Sequence, residues 1–127
     1  MVGLPFAVDM TQPMAALPTL DQFNFHSTLE RLPGVTLVLF TARACGACRR
    51  MRQVLADYLL RGTELRVYTV DAGRDLALTR EFEVFHLPAM FVYVDGRFHC
   101  QLQAPASVTG LEQALGEALT APAQEAP

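Results

Sequence analysis

Cys45 and Cys48, in the run Cys45-Gly46-Ala47-Cys48, are the side chains of this sequence best suited to chemistry. A thiol attacks as its thiolate. The free N–H groups and partial positive charge at a helix N-terminus favour that anion. The pair follows an apolar run, Val35 to Phe40, and opens a segment with helical patterning. A helix start here favours a reactive thiolate at Cys45 and places Cys48 one turn along, close enough to close a small disulfide ring. The pair therefore reads as a redox switch rather than a structural staple. The plainer reading is two small buried residues that happen to be cysteine. Gly46 and Ala47 on a strand-to-helix turn weigh against it. Arg43, Arg49, Arg50 and Arg52 cluster around the pair. A solvated helix face accounts for Arg52, whereas Arg43 and Arg49 are also placed to stabilise a thiolate.

The elements that must position such a pair are legible from pattern. Val35–Phe40 is nearly continuous in apolar character, which suggests a strand covered on both faces. Cys45 to about Leu60 is predicted helical, with apolar repeats at Met51, Leu55, Tyr58 and Leu59, and Gly62 closes it. Leu65–Val70 is a second strand, Asp71-Ala72-Gly73 a turn and Leu76 to Phe82 a short helix. Ala89–Val94 is a third strand. Asp95-Gly96 is a hairpin signal that pairs it with Phe98–Leu102. Upstream, Thr19 and Gln22 have capping-box spacing and predict a helix with Leu20, Phe23, Leu29 and Leu32 on its apolar face, ended by Pro33-Gly34. Thr109 and Glu112 have the same spacing ahead of a final helix carrying Val108, Leu111, Leu115, Ala118 and Leu119. Leu4–Val8 suits a short edge strand. Strands separated by helices imply right-handed βαβ units, with the hairpin adding an antiparallel edge. The domain organisation expected is an N-terminal extension over 1–18, one α/β domain over 19–120 and a flexible tail over 121–127.

Bulk properties narrow the function. The chain has 127 residues, one domain's worth, with 51% hydrophobic residues for a packed core. A net charge of -3 lacks the basic footprint of a nucleic-acid binder. No run reaches transmembrane length. Three cysteines are too few for a disulfide framework and leave Cys100 unpaired. Met1 to Leu20 has no basic residue and lacks the pattern of a signal peptide. A cytoplasmic monomer that contacts neither nucleic acid nor membrane is the resulting expectation.

The combination carries a resemblance. Leu37 to Arg49 resembles the strand, active-site loop and redox helix of the thioredoxin family. Val70-Asp71 looks like the end of its next parallel strand, Phe85-His86-Leu87-Pro88-Ala89-Met90-Phe91 like its cis-proline loop, and Val94-Asp95-Gly96-Arg97 like its hairpin. The likeness spans roughly residues 19 to 120. It implies a thioredoxin-like α/β fold, a mixed sheet of four to five strands flanked by helices on both faces. It implies a thiol–disulfide oxidoreductase serving cell redox homeostasis, with Cys45 the nucleophile and Cys48 the resolving thiol. It implies a cis Leu87–Pro88 bond beside the cysteines and a substrate groove lined by Ala44, Gly46, Ala47, Leu87, Pro88 and Ala104. The cofactor is then the Cys45–Cys48 disulfide itself, with no metal. Partners would be protein disulfides or dithiols and a recycling reductase, such as a thioredoxin reductase or glutathione.

The departures matter as well. Ala44 stands where the family usually has tryptophan, and Ala47 where it usually has proline. Leu39 replaces a buried aspartate that commonly helps move the second thiol's proton, and Val67 replaces that aspartate's lysine partner. Losing both charges together is coherent, since either alone would be costly to bury. A restricted range of partners follows. The rival readings are a chaperone or assembly module that keeps the fold with little reductase activity, and a metal site through Cys45 and Cys48. The latter lacks a second ligand pair, with only Cys100, His86 and His99 to nominate. Cys100 is expected to be buried or at an edge without chemistry, His86 a surface loop residue, and His26 and His99 structural or exposed.

Overall fold

The central strand of the molecule is β2, Val35–Thr41, and it is buried along almost its whole length. The computed structural model describes residues 17–127. The edge strand expected at Leu4–Val8 lies outside them. β2 pairs in parallel with β3 (Arg66–Asp71) and antiparallel with β4 (Ala89–Val94). β1 (Thr19–Leu20) runs parallel to the far side of β3, and β5 (Arg97–Leu102) antiparallel to β4. The sheet order is β1-β3-β2-β4-β5.

The unbroken apolar run of β2 has the structural cause it suggested: alternate side chains enter two different cores. Leu37 and Leu39 face one cluster, built with Met51, Leu55, Leu111 and Leu115. These come from α2 (Gly46–Leu59) and α4 (Val108–Thr120). Val38 and Phe40 face the other, built with Phe25, Leu29 and Leu78. Those come from α1 (Phe25–Leu29) and α3 (Leu76–Glu81). The second core is rich in aromatic contacts, with ring centroids 5.5 Å apart for Phe40–Phe91 and 5.0 Å for Phe82–Phe91. Edge-to-face arrangements of this kind add stabilisation beyond their buried area. Among the described residues, four helices flank a five-stranded mixed sheet, the architecture that the resemblance implies.

Two helix starts differ from expectation. No helix begins at Thr19. Thr19 and Leu20 are strand, and Thr69 donates its N–H to the Pro18 carbonyl at 2.8 Å. The Asp21 carboxylate then accepts from the N–H groups of Phe23 and Asn24, turning the chain before α1 begins at Phe25. Side-chain-to-backbone bonds of this type compete with helix initiation. Gln22, read as part of a capping box, instead accepts from the Ala77 N–H in the first turn of α3. Phe23 is 87% exposed, and Phe25 is the buried anchor. At α4 the cap is Ser107, whose Oγ accepts from Gly110 N at 3.0 Å, and not Thr109.

The Asp95-Gly96 turn forms the expected hairpin, with φ of 51° and 81°. It is tied back to Gly34: the Asp95 carboxylate accepts from the Gly34 N–H at 2.7 Å, and the Asp95 N–H donates to the Gly34 carbonyl at 2.8 Å. The tail expected to be flexible makes hydrogen bonds at Gln124, whose N–H donates to His99 O at 2.6 Å and whose Oε1 accepts from Gln101 N at 3.2 Å.

Candidate active site

Cys45 occupies the N-cap of α2 in extended conformation, φ −130° and ψ 103°. Its sulfur accepts from the Cys48 N–H at 3.1 Å, the bond that a serine or aspartate oxygen makes at an ordinary helix start. β2 delivers the chain to this point and Thr41 ends the strand, so the helix begins after four intervening residues. Cys45 and Cys48 are joined as a disulfide, with Cα atoms 5.2 Å apart. Cys45 is half-buried and Cys48 is 1% exposed. A partner can therefore reach the first sulfur and not the second.

The Leu87–Pro88 bond is cis. Pro88, Ala47 and Ala104 line one groove of about 530 Å³, which runs between α2, the loop before β4 and the segment after β5. These three of the expected groove residues are brought together. Ala44 and Gly46 are exposed beside Cys45 and are not part of that lining, and Leu87 turns its side chain against the aromatic core. The groove is also less uniformly small and apolar than expected. Arg50, Met51, Glu83, Phe85 and His86 line it too. Phe85 is the residue that sequence reasoning passed over. At 84% exposed it sets a large aromatic surface at the groove, in a chain without the usual tryptophan. Its signal was an aromatic side chain in a loop beside Pro88, outside either apolar periodicity.

Glu83 reaches the groove through a helix end. The N–H of Val84 donates to Thr79 O at 2.9 Å and that of Glu83 to Arg80 O at 3.1 Å, the two bonds of a Schellman motif. Glu83 adopts φ 52° there, a position usually given to glycine.

Leu39 is fully buried and Val67 is 4% exposed, both in the core beneath α2, so no carboxylate stands at the family's usual place. Cys100 is buried in the same core, and that burial pushes its thiol pKa up. It belongs to packing, paired with Val92 across β4 and β5. His86 is exposed, His26 pairs with Glu81 at 3.0 Å, and His99 contacts the Ala118 carbonyl at 2.8 Å. Among the described residues no cluster of His, Cys, Asp and Glu suits a metal ion, and no helix is long and apolar enough to cross a membrane.

A helix-capping disulfide with one reachable sulfur is the apparatus of thiol–disulfide exchange. No curated protein matches the sequence. Mitochondrial thioredoxin 3 of Saccharomyces cerevisiae in its oxidized form is similar in structure, with a TM-score of 0.71, 20% identity, and 83% of this chain and 98% of that chain covered. A chain from the thiol-resolving system of yeast mitochondrial 1-Cys peroxiredoxin has a TM-score of 0.70 at 19% identity, covering 82% and 97%. Human ERp44 in its zinc-bound form has a TM-score of 0.68 at 16% identity, with 80% of this chain and 29% of that one covered. These likenesses concern the fold. The family model described as Thioredoxin matches residues 16–117, most of the length, and the chain belongs to the thioredoxin family.

Proposed function

We propose that this protein is a thiol–disulfide oxidoreductase acting on a restricted set of protein partners through Cys45 and Cys48. The observation that carries the reading is the asymmetry of the pair: a reachable sulfur at the helix N-cap joined to a buried one a turn below. In the reduced protein the Cys45 thiolate attacks one sulfur of a partner disulfide. That S–S bond breaks, its other sulfur leaves as a thiolate and takes a proton, and a mixed disulfide remains. Cys48 then gives up its proton and attacks the Cys45 sulfur. The Cys45–Cys48 bond forms, and the partner departs with both sulfurs reduced. The two electrons return from a dithiol reductase or glutathione. No cofactor beyond the protein's own disulfide enters this cycle.

Restriction to few partners rests on the altered surroundings. Ala44 gives up a large contact, and Leu39 leaves Cys48 without a proton acceptor. Resolution of the mixed disulfide is then slow unless water or the partner takes the proton. The cytoplasm, where dithiols stay reduced, suits this cycle. Reduction of insulin by the protein with dithiothreitol tests the reading. Turnover that requires both cysteines supports it. A folded protein with an intact, reducible Cys45–Cys48 pair and no turnover of any disulfide would leave the assembly-module reading in its place.

A further inference from the structure

The second concavity beside α2 is strongly cationic. Arg43, Arg49, Arg52 and Arg74 line a cleft of about 360 Å³ together with Asp71 and the nearly buried Thr41. Thr41 and Asp71 face each other across the ends of parallel strands β2 and β3. The carboxyl ends of parallel strands are where open α/β sheets bind ligands. Two of the charges are already used. Arg74 is held by Asp75 at 2.6 Å and by the Leu20 carbonyl at 3.2 Å, and Asp71 caps its own turn through the N–H groups of Gly73 and Arg74. Arg43, Arg49 and Arg52 have no ion pair among the described residues. Three guanidinium groups without an ion pair thus share one recess with the single carboxylate of Asp71, an excess of positive charge in a chain whose net charge is -3.

The cleft adjoins the reactive sulfur. Arg43 lies two positions before Cys45, and a guanidinium nitrogen of Arg49 folds back to 3.8 Å from where a side chain on Gly46 would begin. The partial positive charge of the α2 N-terminus points the same way. Helical periodicity puts the two recesses on opposite flanks of α2. Ala47, Arg50 and Met51 look into the Pro88 groove, while Arg49 and Arg52 look into the cationic cleft. Cys45 at the start of α2 lies between the two flanks, so a polypeptide joined to it has the cleft on one side and the groove on the other.

We propose that this cleft is an acidic-residue subsite, which binds carboxylates of the partner segment flanking the cysteine that Cys45 attacks. The proposal rests on the exchange reading above and names the chemistry of its partners. Guanidinium forks suit carboxylates in bidentate geometry, and charge-assisted bonds of this kind are stronger than neutral ones.

Two peptides of equal length test it. Each has one central cysteine blocked as its mixed disulfide with 2-mercaptoethanol, and they differ only in flanking Glu or Gln. The reduced protein should show kcat/KM about tenfold higher for the Glu peptide at low salt, since three exposed pairs each contribute about a twofold preference. That preference should fall below about twofold in 0.5 M salt. The triple variant Arg43→Gln, Arg49→Gln, Arg52→Gln should lose the preference, and the salt series on the unaltered protein stands should that variant not fold. Binding of the corresponding serine peptides to the oxidised protein, followed by NMR at the arginine Nε–H signals, separates the subsite from the redox step. A Glu preference in binding without turnover of either peptide keeps the subsite and defeats the exchange reading. Equal binding and equal turnover of both peptides overturns the subsite and leaves exchange intact. Perturbation of those signals by inorganic phosphate, with no Glu preference, also overturns it and marks a site for free anions.

Discussion

The Cys48 N–H donates to the Cys45 sulfur across 3.1 Å, so the sulfur proposed as the nucleophile is also the cap of its helix. Substitution at Cys45 thus has two separable effects. Cys45→Ser keeps a capping oxygen and removes the reactive sulfur. We expect a folded protein with disulfide reductase activity abolished, whereas Cys45→Ala should lose in addition about 1 kcal/mol of stability with the cap. Cys48→Ser should accumulate a mixed disulfide at Cys45, visible by mass spectrometry. Reductase activity retained by Cys45→Ser would disprove the assignment.

Leu39 fills the buried place where the family commonly carries a carboxylate. It is fully enclosed by the core under α2. Leu39→Asp should cost about 2 kcal/mol or more in denaturant unfolding, since a buried acid lacks partners there. Turnover of a disulfide substrate per folded molecule should nevertheless rise, because the new carboxylate can take the Cys48 proton. A folded variant that is no faster contradicts this account of slow resolution.

Phe85 stands at the groove with most of its surface in water. Its removal should leave the fold intact and weaken partner binding. Phe85→Ala should raise KM for a peptide disulfide by about threefold to tenfold, the worth of one aromatic contact. An unchanged KM would remove Phe85 from the contact surface.

Gly96 combines φ 81° with the backbone of Glu30 lying where a side chain would go. Gly96→Ala should therefore destabilise by about 2 kcal/mol or more, through both the left-handed conformation and the clash. Thermal unfolding measures it, and a loss below about 0.5 kcal/mol would show the hairpin free to shift away from α1.

Burial raises the pKa of the Cys100 thiol, and burial together with the charge of Glu81 raises that of the Tyr93 phenol. Both groups hold their protons longer in the fold than in the unfolded chain. The associated stability is present below the unfolded pKa values and is lost as pH rises through the folded ones. The denaturant midpoint should thus fall from about pH 8.5 upward, first through Cys100 and above about pH 10 through Tyr93 as well. Cys100→Ala should flatten the first part of that fall. A midpoint constant from pH 7.5 to 10 would refute it.

The strand-to-helix turn at Cys45, both faces of β2 and the Asp95-Gly96 hairpin were legible because each rests on local chemistry. They depend on sulfur spacing, unbroken apolar patterning and a turn dipeptide. The start of α1 was not, because a capping-box spacing at Thr19 is satisfied equally by a strand whose partner, β3, lies some fifty residues away. Gln22 and Asp21 spend their side chains on Ala77 and on a local turn. The groove was partly legible. Ala47, Pro88 and Ala104 were indicated by resemblance, while Phe85 and Glu83 enter it through a loop and a helix end that no periodicity describes. The gathering of Arg43, Arg49, Arg52 and Arg74 needed the β2–β3 register, which joins segments about thirty residues apart.

Gln124 gives the C-terminal segment a task. β5 is a border strand, and His99 O with Gln101 N are neighbouring backbone groups on one side of it, both engaged by this single residue. Unpaired groups along such a border are a template on which another chain can add a strand. By engaging two of them, Gln124 shortens the stretch of that border left open to strand addition.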